Sequence, residues 1–173
     1  MYILDNVFDE ETELEIRENI FSNLDFYYKQ NAISGKHNIL TCNTDFFCHM
    51  FCDGELKSNA YSDIVSIFEP IFHEVGKKYN KQSLSLGRAK ANFFRPHYNF
   101  FEFRPLPFHI DSPDKHLVVL YYVNNSDGPT LVGKKIISPK QGRLVIFDGS
   151  IYHTHFLPRF SNRVTLNFNL HYE

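Results

Sequence analysis

The chain contains no tryptophan, and its three cysteines, Cys42, Cys48 and Cys52, all fall in one short segment. An odd, clustered set of cysteines argues against a disulfide framework and for free thiols in a reducing compartment. No apolar run is long enough to cross a bilayer. The opening MYILDNVFDEE turns acidic at once and lacks the basic and apolar regions of a secretory signal. These features predict a cytoplasmic protein with no membrane partner. Excess charge of one sign is also missing: a formal net charge of -2 carries no clear nucleic-acid footprint, because that partner calls for a basic face. No repeat, low-complexity tract or linker divides the 173 residues. A single domain with a sizeable core is expected.

Aromatic residues are abundant instead. With 18 Phe and 10 Tyr, the core should be built largely from rings. Residues 2–8 read as an opening strand. From Asp9 the sequence looks helical, with Asp9 as N-cap, acids in the first turn, and Leu14, Ile16, Ile20 and Phe21 as an imperfect apolar stripe. Turn signals at Ser34-Gly35 follow. TDFFCHMFC is expected to be a short helix or buried loop. Its Cys48, His49 and Cys52 resemble a zinc set, but free cysteines in so apolar a context read first as small buried hydrophobes. A second helix is predicted over about 59–79 from Ile64, Phe68, Ile71, Phe72 and Val75, kinked or divided at Pro70.

From Ser83 onward the pattern becomes β. Short runs (SLGRAKANFFR, PFHI, HLVVLYYV, TLVGKKIIS, GRLVIF, RVTLNFNLHY) alternate with Pro, Gly, Asn and Asp clusters. Evenly spaced short strands predict a mainly-β sandwich, barrel or jelly roll. A helical part of about 1–82 would pack on one face of a β core of about 83–173. The last run alternates most cleanly. Arg163, Thr165, Asn167, Asn169 and His171 share one face, and Val164, Leu166, Phe168 and Leu170 the other. That polar face either meets solvent or lines a ligand cavity.

His109 and Asp111 flank one residue and would share a face on a strand. A later histidine, His153 or His155, follows GRLVIF, and Arg163 opens the last strand. Two imidazoles and a carboxylate form a facial triad that binds Fe(II) with positions left open. Most of the nine histidines need no such role; His109 is distinguished by its partner.

Further matches extend from this pair. His109-Ile-Asp111 is followed by Tyr122-Val-Asn124, Gly128-Pro-Thr130 and Pro139-Lys-Gln-Gly142, then by Phe147, His153 and Arg163. Over roughly residues 88–170 this resembles the 2-oxoglutarate- and Fe(II)-dependent dioxygenases, in particular small prolyl-4-hydroxylase-like phage and bacterial members. The resemblance implies a double-stranded β-helix, a cupin-like jelly roll. It also implies Fe(II), 2-oxoglutarate and O₂ as reactants, with ascorbate in support. Its spacing favours His153 over His155 as the third metal ligand beside His109 and Asp111. It assigns Arg163 to the distal carboxylate of 2-oxoglutarate, helped by Tyr122 and Thr165, with Asn92 contacting cosubstrate or substrate. Retention of Asp111 argues against halogenation. The implied reaction is hydroxylation of a peptidyl-proline or a small molecule, under the aromatic, proline-rich segment RPHYNFFEFRPLP. Two competing readings are an inactive jelly-roll binding module and a cupin-like metalloenzyme that uses His155 and no 2-oxoglutarate.

Overall fold

The computed structural model describes residues 1–29, 46–81, 83–97 and 105–173. Cys42, the Ser34-Gly35 turn and residues 98–104 of the aromatic segment lie outside the described residues. The architecture is mainly β: two antiparallel sheets, with two helices against the outer face of the larger one.

The larger sheet runs β1 (Tyr2–Leu4), β9 (Leu144–Asp148), β6 (His116–Tyr122), β11 (Arg163–His171), β5 (Ser85–Phe94), β3 (Phe46–Asp53), β2 (Tyr27–Lys29), with β4 (Leu56–Lys57) paired to β3. The smaller sheet orders β10 (His153–His155), β7 (Thr130–Val132) and β8 (Lys135–Ile137). Since side chains alternate along a strand, each large-sheet strand divides its residues between two environments. Ala89, Ala91, Leu117, Val119, Tyr121, Val164, Leu166, Phe168 and Leu170 face the helices and form the main core.

The helix α1 (Glu10–Ser22) begins where Asp9 accepts a hydrogen bond from the Thr12 N–H at 2.9 Å, and three acids occupy its first turn. Only Ile16 and Ile20 of the anticipated stripe are fully buried, while Leu14 and Phe21 stay exposed. Spacing by four residues gives the helix a narrow docking edge. The helix α2 (Tyr61–Lys78) runs through Pro70 as one element. Pro70 lies on the exposed side, while Ile64, Val65, Phe68, Phe72 and Val75 are buried. The missing amide bond therefore falls away from the packed face. Phe68 sits at the centre of a ring cluster with Phe8, Phe72, Tyr121 and Phe168.

TDFFCHMFC departs from the expected helix or loop, for it contributes most of β3, paired with both β2 and β5. A strand buried on both faces and bulged at Met50/Cys52 shows no simple alternation. Cys48 and Cys52 are buried free thiols, as the hydrophobe reading has it. His49 is held by the Asp25 carbonyl at 2.7 Å and Ser58 Oγ at 3.0 Å. PFHI forms only an isolated bridge, His109 to His153, and Pro105 just before it makes another to Phe156. Among the described residues no helix is long and apolar enough to cross a membrane.

Candidate metal centre

The inner face of the larger sheet and the smaller sheet enclose a cavity of about 440 Å³, a volume typical of small-molecule sites. Strand register decides what lines it. Arg163, Thr165, Asn167 and Asn169 on β11 lie opposite Phe94, Asn92, Lys90 and Arg88 on β5. All of these except Asn169 line the cavity. The polar face of the last strand thus turns inward, not toward solvent.

His109 and His153 meet as a β-bridge in which each backbone N–H donates to the other's carbonyl at 3.0 Å. This backbone pairing, not a continuous strand, brings the two rings to a centroid distance of 4.6 Å. The ligand atoms of His109, Asp111 and His153 all lie within 4.8 Å of one another. Each Nε2 is 3.9 Å from an oxygen of Asp111. The opposite nitrogens point at backbone carbonyls: His109 Nδ1 at Pro107 (3.3 Å) and His153 Nδ1 at Ile151 (3.1 Å). Donation from Nδ1–H leaves the Nε2 lone pairs aimed at the shared centre.

Charge states suit a divalent cation. Burial opposes ionisation of Asp111, but nearby Lys90, Arg88 and His153, with a hydrogen bond from Asn167, outweigh it and hold the acid well below the usual carboxylate range. Burial lowers the pKa of both His109 and His153, partly offset by Asp111, which keeps their rings neutral. Asp111 is positioned by Asn167 Nδ2 and Arg88 Nη2, both at 3.0 Å.

His155 shares the cavity wall but turns its ring edge-on to Phe94 at 4.4 Å. Burial, then the charge of Arg163, pushes its pKa well down. Arg163 is buried. Its Nε donates to the Gly128 carbonyl at 3.0 Å and its Nη2 to Thr130 Oγ1 at 2.9 Å, so the fork is fixed from behind. The Tyr122 hydroxyl, fully buried, donates to the same Thr130 oxygen at 2.6 Å and lies behind the wall. Thr165 and Asn92 both line the cavity.

Four buried polar atoms of this lining have no protein partner among the described residues: Asn92 Oδ1, Thr165 Oγ1, Asn167 Oδ1 and His155 Nε2. Such groups are costly to leave unpaired, so their convergence marks a place for a polar ligand. Sequence reading did not single out Arg88 or Lys90, and placed Asn167 only on a polar face of undecided orientation. The signal for the first two was alternation of Arg88, Lys90 and Asn92 before the H-x-D pair.

No protein-family model matches the chain, and no curated protein does. Its fold, however, is that of solved 2-oxoglutarate and Fe(II) oxygenases, prolyl hydroxylases among them. An oxidoreductase of the 2OG-Fe(II) oxygenase family from Burkholderia pseudomallei superposes with a TM-score of 0.72 at 13% identity, covering 95% of this chain and 80% of that one. The viral collagen prolyl hydroxylase of Paramecium Bursaria Chlorella virus-1, as its 2OG complex, gives 0.64 at 12% identity over 99% and 96% of the two chains. A Trichoplax adhaerens prolyl hydroxylase, bound to a hypoxia inducible factor peptide fragment, gives 0.64 at 16% identity over 98% and 82%.

Proposed function

We propose that this chain is a non-haem Fe(II)- and 2-oxoglutarate-dependent dioxygenase acting as a hydroxylase, its 173 residues forming one jelly-roll (double-stranded β-helix) domain. The observation that carries the reading is the convergence of His109, Asp111 and His153 on one point of a cavity whose far end holds a buried, pre-oriented arginine. His109 and His153 would bind iron through Nε2 and Asp111 through a carboxylate oxygen, which leaves positions open. When bound, the iron and 2-oxoglutarate supply the activation of O₂, which side chains alone cannot.

The residues of the chain handle binding and orientation. Arg163 and Asn167 stand four residues apart on β11, roughly 13 Å, so the arginine and the Asp111 side of the cavity are separate parts of the site. Arg163 takes the distal carboxylate, with the Thr165 hydroxyl beside it. Tyr122 serves the same carboxylate from behind, by holding Thr130 against the guanidinium. The unpartnered His155 Nε2 and Asn92 Oδ1 would contact the cosubstrate or substrate. A peptidyl-proline or small molecule is the substrate class supported by the fold. A cytoplasmic setting agrees with the buried free thiols.

The test is direct. Anaerobic protein with Fe(II) and 2-oxoglutarate should develop the absorption band of the chelate. On admission of O₂ it should form succinate slowly without any other substrate. The double variant His109→Ala/Asp111→Ala should do neither. Absence of both iron binding and turnover in the unaltered protein would sink the proposal.

A further inference from the structure

The cavity carries more positive charge than its cosubstrate can use. Among the described residues that line it, Arg88, Lys90 and Arg163 are cations and Asp111 is the one carboxylate. Fe(II) and the 2-oxoglutarate dianion cancel each other, so the loaded site would still hold two uncompensated positive charges. Buried charge left unpaired is strongly unfavourable.

Location separates these cations into two groups. Arg163 lies opposite Phe94 at one end of the β5–β11 pair, whereas Lys90 lies opposite Asn167 and Arg88 opposite Asn169, on the Asp111 side. Arg88 is committed to Asp111 at 3.0 Å. Lys90 feels Asp111 as a distant charge but makes no ion pair or hydrogen bond among the described residues, and burial lowers its pKa. A half-buried lysine that lines the cavity beside the metal centre, without a direct partner among the described residues, is a group awaiting an anion. The unpartnered Asn167 Oδ1 next to it can accept from the same ammonium or from a ligand N–H or O–H.

Building on the oxygenase reading, we propose that the prime substrate is acidic and that Lys90 binds its carboxylate or phosphate group beside the metal, with Arg88 reinforcing the local field. A neutral prolyl side chain would leave Lys90 unpaired. An anion placed there would sit on the Asp111 side of the cavity, away from the cosubstrate's arginine.

The test uses the whole protein loaded with redox-inert Mn(II) and saturating 2-oxoglutarate. Inorganic phosphate and acetate are titrated separately at constant ionic strength, with calorimetry and water-proton relaxation as readouts. Saturable binding of at least one anion is expected, weakened about tenfold or more in Lys90→Met, as loss of a charge-assisted contact implies. Lys90→Arg should keep most of it, and 2-oxoglutarate affinity should change less than about threefold in either variant. Phosphate alone would mark a phosphorylated substrate, acetate alone a carboxylic acid, and either result supports the inference. It is overturned if neither anion binds the loaded protein, if Lys90→Met binds them unchanged, or if that variant loses 2-oxoglutarate instead. Failure of Mn(II) and 2-oxoglutarate themselves to bind would sink the oxygenase reading and this inference together.

Discussion

Arg163 shows how much a single residue's surroundings decide. An arginine opening a strand is ordinary; one whose Nε and Nη2 are tied to Gly128 and Thr130 is a fixed fork. Truncation to alanine should raise the KM for 2-oxoglutarate roughly 10- to 100-fold with a smaller effect on kcat, the range expected for losing hydrogen bonds to a charged group. Steady-state succinate formation checks this, and an unchanged KM would favour a metalloenzyme that ignores 2-oxoglutarate. Arg163→Lys should recover only part of the loss, because an ammonium cannot occupy the geometry that Gly128 and Thr130 impose. The pair of histidines on β10 makes the complementary point. His153 and His155 have the same parity on a strand, so alternation could not choose between them. In the structure a backbone bridge from His109 reaches 44 positions along the chain to His153 and brings that ring, not His155, beside it.

Among the elements, β1 is short, with partly exposed ends, and depends on its anchor. Asp5, just after it, pairs with Arg143 at 2.7 Å and Lys140 at 3.3 Å beyond the partner strand. The hydrogen bond from Arg143 leads the causes that lower its pKa from 3.8 to about 2. A depressed carboxylate pKa stabilises the fold above the unfolded value, and the effect fades as pH falls through the folded one. Asp5→Asn should therefore lose under about 1 kcal/mol at neutral pH, given the exposure of the pair. The gap from the parent protein should close between about pH 4 and pH 2 in denaturant titrations. The helix α2 rests on a different basis. Phe68 is wholly buried among four other rings, so Phe68→Ala should destabilise by about 3–5 kcal/mol. A loss below about 1 kcal/mol would contradict the packing described for the outer face of the sheet.

For the molecule as a whole, the site is assembled from separated parts. The loop with His109 and Asp111, the small-sheet strand with His153 and the large-sheet strand with Arg163 meet only when both sheets form. A ligand that bridges them should stabilise the entire fold. Mn(II) with 2-oxoglutarate at about a hundredfold excess over Kd should add roughly 2.7 kcal/mol. That would raise the Tm by about 5–10 °C at this chain length. His109→Ala/Asp111→Ala should abolish the shift, as scanning calorimetry can show.

The local features were legible in the sequence because they depend on near neighbours. Asp9 caps α1 through Thr12, the apolar stripe of α2 follows helical spacing, and β11 alternates cleanly from Arg163. The H-x-D pair could be named from residue type and spacing, whereas the preference for His153 over His155 and the role expected of Arg163 came only with the resemblance to the oxygenases. What the sequence could not determine was whatever required register or a remote partner. The segment around Cys48 becomes a strand because β5 and β2 lie on either side of it. Pro70 leaves α2 whole because it faces away from the packed side. Tertiary structure alone turned the polar face of β11 inward and set Asn167 against Asp111. It also turned the half-buried Arg88 and Lys90 toward the cavity, whereas alternation by itself says only that they share a face with Asn92. Side-chain periodicity says which residues share a face, but which face is covered depends on energies of packing between elements far apart in the chain.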